Sequence, residues 1–295
     1  MNGIRFAPSP TGRFHIGNLR TAWASHQIAH ALNEPWILRI EDIDTARVSL
    51  EFREKQIEDL KSLGLTADHI VIQSSRHQRH QELFERARQE GRVYPCDCSR
   101  REVLDALSQM ERAPHSAPAE YSGHCRHRDE PLSAYKPAET LAWRWKMQTG
   151  SGATSGQHDA IIARTDAHGE TFTAGYHWAC AIDDADGNYH VLVRAWDLSS
   201  VDEIQSEIRA WSLGSRDLTR VFHTALVARD DGGRLEKRTQ GVTLDELQAQ
   251  GVTTPRILKA FDFSFDLKTA LHEISSSHRP IGESVKSLSL SKLAL

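Results

Sequence analysis

Residues 4–19 read Ile4-Arg5-Phe6-Ala7-Pro8-Ser9-Pro10-Thr11-Gly12-Arg13-Phe14-His15-Ile16-Gly17-Asn18-Leu19. A short apolar-rich run at 4–7 is stopped by Pro8, Pro10 and Gly12, and apolar positions at near-helical spacing follow: Leu19, Ala22, Trp23, Ile28 and Ala29. A second apolar run, Trp36-Ile37-Leu38-Arg39-Ile40, completes a strand–turn–helix–strand unit within forty residues, the length of a parallel βαβ crossover. The fold class is therefore α/β with a parallel sheet at this end. In such sheets ligands bind beyond the carboxyl ends of the strands, where residues 8–17 and 41–44 fall. Backbone N–H groups of the first loop and the helix start would face an anion there. The loop matches neither the dinucleotide fingerprint nor the Walker pattern.

Further along, helical periodicity covers about 51–63 and 76–90, with Gly64 and Gly91 placed as helix-ending glycines. Residues 76–101 carry seven arginines against four acids, which is either a polyanion-facing surface or a solvated helix face. Ser99 and Glu102 have capping-box spacing, as do Thr243 and Glu246. Residues 141–147 alternate with period two, like a half-buried strand. The Gly/Ser-rich stretch 150–156 then leads to the apolar runs 160–163 and 190–194, both read as returning to the core. Composition marks 96–156 as an insertion.

The 295 residues include 36 Lys+Arg and 40 Asp+Glu, a net charge of −4, with 39% hydrophobic residues and a mean hydropathy of −0.51. These values exclude disordered and fibrous classes and, taken alone, supply no global field for polyphosphates. No run of about 18 apolar residues is present, so no membrane span is expected. The amino terminus shows no secretion signal, which makes cytoplasm the default location. Of four cysteines, Cys96, Cys98 and Cys125 cluster, while Cys180 reads as a small buried residue. Three thiolates brought to one centre suit a four-coordinate structural zinc; free buried thiols are the alternative.

Residues Arg5 to Gly12, His15-Ile16-Gly17-Asn18 and Arg39 to Asp44 together closely resemble the glutamyl-tRNA synthetase family of class I aminoacyl-tRNA synthetases. The likeness continues through Tyr176-His177, Asp183-Asp184 and His190 to Arg194, and ends at Arg234-Leu235-Glu236-Lys237-Arg238. It implies a Rossmann-like catalytic core and a first ATP signature at His15, Ile16, Gly17 and Asn18, with Pro8 and Gly12 in the same loop. The second signature would be Arg234 to Arg238, its Lys237 touching the triphosphate. Glutamate would be held by Arg5, Phe6, Ala7, Pro8, Ser9, Glu41, Tyr176 and Arg194. An Arg pair can fork onto a carboxylate, while Glu41 and Tyr176 can take an ammonium group. Four positions depart from the family pattern. Arg234 stands where Lys is common, Glu236 where Ser is usual, Ala195 where Gly follows the pocket arginine, and Asp202 at a position often Thr.

For the metal, the resemblance puts the ligands at Cys96, Cys98, Tyr121 and Cys125, while His124 is the more usual ligand type for the fourth place. One structural Zn2+ is expected, and ATP enters as substrate with Mg2+. The implied domains are a catalytic core of 1–95 with 157–240, a zinc-binding and acceptor-binding insertion of 96–156, and a short helical segment of 241–295. Only residues 239–295 follow the second signature, too few for the helical anticodon-binding region of a full-length member. That pattern resembles the family's truncated paralogues. These activate L-glutamate without tRNA and pass it to the queuosine base at the first anticodon position of tRNA(Asp). A truncated enzyme charging tRNA(Glu) and a non-catalytic RNA-binding paralogue are the alternatives. Trp143, Arg144, Trp145, Lys146 and the arginines of 76–101 are candidates for touching RNA, with core packing the competing role for at least one of Trp143 and Trp145, which share a strand face. A monomer is the default; the sequence is silent on assembly.

Overall fold

A computed structural model describes residues 3–99, 102, 121, 123–136, 140–148, 159–227, 242–276 and 281–282. The chain divides into two compact units: residues 1–74 with 186–202 and 218–295, and residues 75–185 with 203–217.

The first unit is built on a six-stranded sheet in the order β10-β9-β8-β1-β2-β3, every pair parallel. The strands are β1 (Ile4–Phe6), β2 (Trp36–Ile40), β3 (His69–Ile72), β8 (Val191–Ala195), β9 (Arg220–Thr224) and β10 (Ile281–Gly282). The helices of this unit are α1 (Ile16–Ala31), α2 (Leu50–Ser62), α6 (Leu244–Ala249), α7 (Thr254–Phe263) and α8 (Leu267–Ser276). Period-two alternation divides the side chains between the two faces of the sheet. Ile4, Phe6, Leu38, Ile40, Val191, Val193 and Phe222 meet Leu19, Trp23, Ile28, Leu60, Ile257 and Phe261 of the helices in one apolar core. Residues in register on the other face begin apolar, as Ile37, Leu192 and Val221 around Tyr189, and become charged toward the strand ends. Buried Arg20 of α1 ties the helix layer together, donating to Ser264 Oγ at 2.9 Å and to the Ala225 carbonyl at 2.6 Å.

The second unit holds a four-stranded antiparallel sheet, β4 (Val93–Cys96), β5 (Leu141–Trp145), β6 (Ile161–Thr165) and β7 (Phe172–Ala174). With it belong α3 (His77–Gln89), α4 (Tyr176–Asp186, apart from its last residue) and α5 (Asp202–Leu213, after its first residue). The run at 160–163, expected to return to the parallel core, instead forms β6 beside β5. The two strands pair antiparallel, with Trp143 opposite Ala163 and Leu141 opposite Thr165. The expected insertion 96–156 thus lies inside a wider unit that starts at Ser75. Among the described residues, the short helical segment expected after Gly241 holds three helices, α6 to α8, followed by the edge strand β10.

Gly64 and Gly91 end α2 and α3 at φ +74° and +66°, as their sequence positions require. Both capping boxes form: Thr243 and Glu246 at α6, and Ser99 with Glu102, whose backbone N–H donates to Ser99 Oγ at 3.1 Å. None of the described helices is long and apolar enough to cross a membrane.

Candidate active site

The β1–α1 loop ends at His15, the N-cap of α1. Its Nδ1 accepts from the Gly17 N–H at 3.1 Å, and Asn18 Oδ1 accepts from the His15 N–H at 3.2 Å. Because Nδ1 is the acceptor, the neutral ring carries its proton on Nε2 and acts as a donor beside the positive helix end. Gly17 is required for this arrangement, since a Cβ there would stand 2.9 Å from His15 Cε1. The expected ATP loop is clamped from beneath. Gln56 Nε2 donates to the Gly12 carbonyl at 2.7 Å, and Arg13 pairs with Asp245 and, at 3.5 Å, with Asp59. Burial raises the Asp59 carboxyl, and the hydrogen bond to Asp245 holds Arg13 firmly charged.

Arg234, Leu235, Glu236, Lys237 and Arg238 lie outside the described residues. The described residues on either side of that stretch meet the first signature. Ile16 N–H donates to the Val242 carbonyl at 2.9 Å, Thr243 bridges His15, and Val227 Cγ2 is 3.8 Å from where a Gly17 Cβ would be.

Sheet register gathers the expected glutamate ligands of the first unit. Arg5 is in register with Ile37 and Leu192; two residues on stand Arg39 and Arg194, and Glu41 follows by the same alternation. Arg5, Arg39, Glu41, Arg194 and His223 therefore share one sheet face at its carboxyl edge, and all are buried. Arg39 Nη2 donates to Glu41 Oε1 at 3.0 Å, and the Glu41 N–H donates to the Pro8 carbonyl at 2.9 Å, joining the two loops. Arg194 Nη1 donates to Asp202 Oδ1 at 3.0 Å. Arg39, Asp202 and His223 were not in the expected set; Asp202 was visible in the sequence only as a departure from pattern. Phe6 turns its ring into the core between Phe14 and Trp36, Pro8 is buried, Ala7 is half-buried and Ser9 is exposed. Tyr176 opens α4 in the second unit and is 37% exposed.

In the second unit, the Sγ atoms of Cys96, Cys98 and Cys125 lie within 4.8 Å of one another. Cys98 and Cys125 are 3.5 Å apart, and Tyr121 Oη is 3.7 Å from Cys96 Sγ while accepting the Cys125 N–H at 2.7 Å. Tyr121 is buried under the Arg144 guanidinium, 3.5 Å from its ring centre, whereas His124 and His127 are exposed. Hydrogen bonds with Cys125 first and Cys98 next pull the Cys96 thiol far below its ordinary range, while Cys98 is pushed up, chiefly by its bond with Cys125, and Cys125 is raised chiefly by its bond with Cys96. Cys180 is buried.

The arginine-rich stretch is largely committed to packing. Arg86, Arg88 and Arg92 each sit 4.6 Å over the rings of Trp211, Trp143 and Trp145, and pair with Glu90, Glu85 and Glu207. Trp143 and Trp145 are buried, so neither offers a ring for stacking on a base. This corrects their expected RNA-facing role: β5 is covered on both faces.

A model of the catalytic domain of class I tRNA synthetases (E and Q) matches residues 3–275. The chain belongs to this family. Membership in this class I synthetase family implies ATP as a substrate. Among its relatives is a Glutamyl-Q tRNA(Asp) synthetase of Nocardia farcinica, 32% identical over 274 residues, covering 89% of this chain and 84% of that protein. One of the same description from Rhodobacter capsulatus is 31% identical over 273 residues, covering 84% and 95%. Glutamate-tRNA ligase 2 of Gluconobacter oxydans is 32% identical over 262 residues, but only 58% of it is covered. A glutamate tRNA ligase from Elizabethkingia meningosepticum, solved in complex with its amino acid, superimposes with a TM-score of 0.70 at 19% identity, over 99% of this chain and 68% of that one. At that identity the likeness shows the class I synthetase fold.

Proposed function

We propose that the protein joins L-glutamate to AMP without tRNA and then transfers the glutamyl group to the queuosine base in the anticodon of tRNA(Asp). The observation that carries the acceptor is the match to Glutamyl-Q tRNA(Asp) synthetases over 84% and 95% of their own lengths. The buried arginine face supports the amino acid. In the first step a carboxylate oxygen of glutamate bonds to the α-phosphorus of ATP as the bond to pyrophosphate breaks. The nucleophile is already ionised at neutral pH, so no side-chain base is needed and the work is positioning and charge neutralisation. In the second step an acceptor hydroxyl attacks the activated carbonyl, AMP leaves, and the hydroxyl proton passes to phosphate or solvent.

The assignment places His15 and the start of α1 on phosphate oxygens and Lys237 with the leaving pyrophosphate. Arg5 and Arg194 take the side-chain carboxylate, and Glu41 the ammonium group. Mg2+ accompanies ATP. Buried Cys96 and Cys125 and half-buried Cys98, with the Tyr121 hydroxyl, fit one tetrahedral Zn2+, which would tie β4 to the 121–125 loop as a structural ion. We place the protein in the cytoplasm. The Gluconobacter relative supports one second reading, tRNA(Glu) as acceptor. Incubation with labelled glutamate, ATP and queuosine-containing tRNA(Asp), unmodified tRNA(Asp) or tRNA(Glu) separates the two. Label only on tRNA(Glu) contradicts the proposal.

A further inference from the structure

Arg194 is not alone in its pocket. Asp202, the first residue of α5, holds its guanidinium through a 3.0 Å hydrogen bond, with Arg194 and Asp202 only 3% and 5% exposed. The second carboxylate oxygen, Oδ2, makes no hydrogen bond among the described residues and faces His223 Nε2 at 3.1 Å. His223 is fully enclosed, its ring set edge-on to Trp196 at 5.6 Å. Arg194 and His223 are register partners on β8 and β9, so the three groups form one built cluster. With a neutral imidazole the cluster carries no net charge, whereas an uncharged residue at 202 would leave it at +1. A buried carboxylate in contact with a guanidinium cancels most of that group's field at short range, because little water intervenes to screen either charge.

We infer that Asp202 is a specificity-determining residue of the amino-acid pocket, which lowers the preference for a side-chain carboxylate over a carboxamide of the same length. An incoming carboxylate meets an arginine that already has a carboxylate partner, so it gains less over a neutral amide than it would from an uncompensated guanidinium. The inference rests on the proposed role of Arg194 in reading glutamate.

The test is pyrophosphate exchange into ATP, measured as kcat/KM with glutamate and with glutamine. A pocket whose polar groups are all dedicated to one substrate rejects the mismatched analogue by about 10⁴ or more. The wild-type protein should discriminate by less than about a hundredfold. Asp202→Asn, which keeps the shape and removes the charge, and Asp202→Thr should each raise the glutamate-to-glutamine ratio about tenfold or more, mainly through a lower KM for glutamate. The ratio is internal to each preparation and does not depend on its folded fraction. A wild-type ratio above about 10⁴, or variants whose ratio stays the same or falls, overturns the inference and leaves glutamate activation standing. Exchange with neither amino acid in the wild type overturns the proposed function itself, and the inference with it.

Discussion

At Gly17 the proposed first ATP signature comes down to one missing methyl group. The His15 imidazole lies where a side chain would be, so Gly17→Ala should push the ring off the helix end and move its Nε2 donor. Loss of one well-placed donor to a reacting phosphate costs about a hundredfold in rate, so exchange should fall by that order while the melting temperature changes by only a few degrees. An unchanged rate would remove His15 from the chemistry. A second prediction concerns Glu41, the carboxylate paired with buried Arg39. Glu41→Ala removes a buried carboxylate that pairs with Arg39 and should cost about 3 kcal/mol of stability by urea denaturation, the order expected when one partner of a buried ion pair is lost. Legibility at this scale was uneven. Arg5, Glu41 and Arg194 are proposed from family motifs, but Arg39 and His223 join that buried face only when parallel register aligns β2, β8 and β9, and Asp202 joins it through its bond to Arg194.

Among the elements, β1, α1 and β2 were legible because punctuation by Pro and Gly coincides with a change from period two to period 3.6. β3 was not: its four residues, His69–Ile72, form a short apolar run at one edge of the sheet, exposed or half-buried, without the alternation that marks a strand. α4 is buried along almost its whole length, which erases the one-sided stripe that marks a helix in sequence. The hairpin from β6 to β7 carries a pH prediction. Asp166 accepts the backbone N–H groups of Glu170, Thr171 and His168, and these bonds, Glu170 first, hold its carboxyl down at about 2. Its ordinary value is 3.8, so the stabilisation is present above about pH 4 and is lost as pH falls toward 2. Asp166→Asn should flatten that acid limb of the thermal-stability profile and leave the profile near neutrality little changed in slope. The cysteine cluster joins β4 to the loop before β5. Elemental analysis should find about one zinc per chain, lost in Cys96→Ser, and a metal-free, fully folded native protein would refute that site.

For the whole molecule, net charge proved the poorer guide and register the better one. A value of −4 argued against a polyanionic partner, yet the chain belongs to a tRNA synthetase family. Its cationic groups are distributed by the fold: three arginines on one buried sheet face, and others stacked on tryptophans in the second unit. An average over the sequence registers neither. The most direct measurement of what the molecule does is glutamate transfer to defined RNAs. With ATP and labelled glutamate, the protein should label queuosine-containing tRNA(Asp) and leave both unmodified tRNA(Asp) and tRNA(Glu) unlabelled. Label confined to tRNA(Glu), or no label on any RNA, would contradict the account.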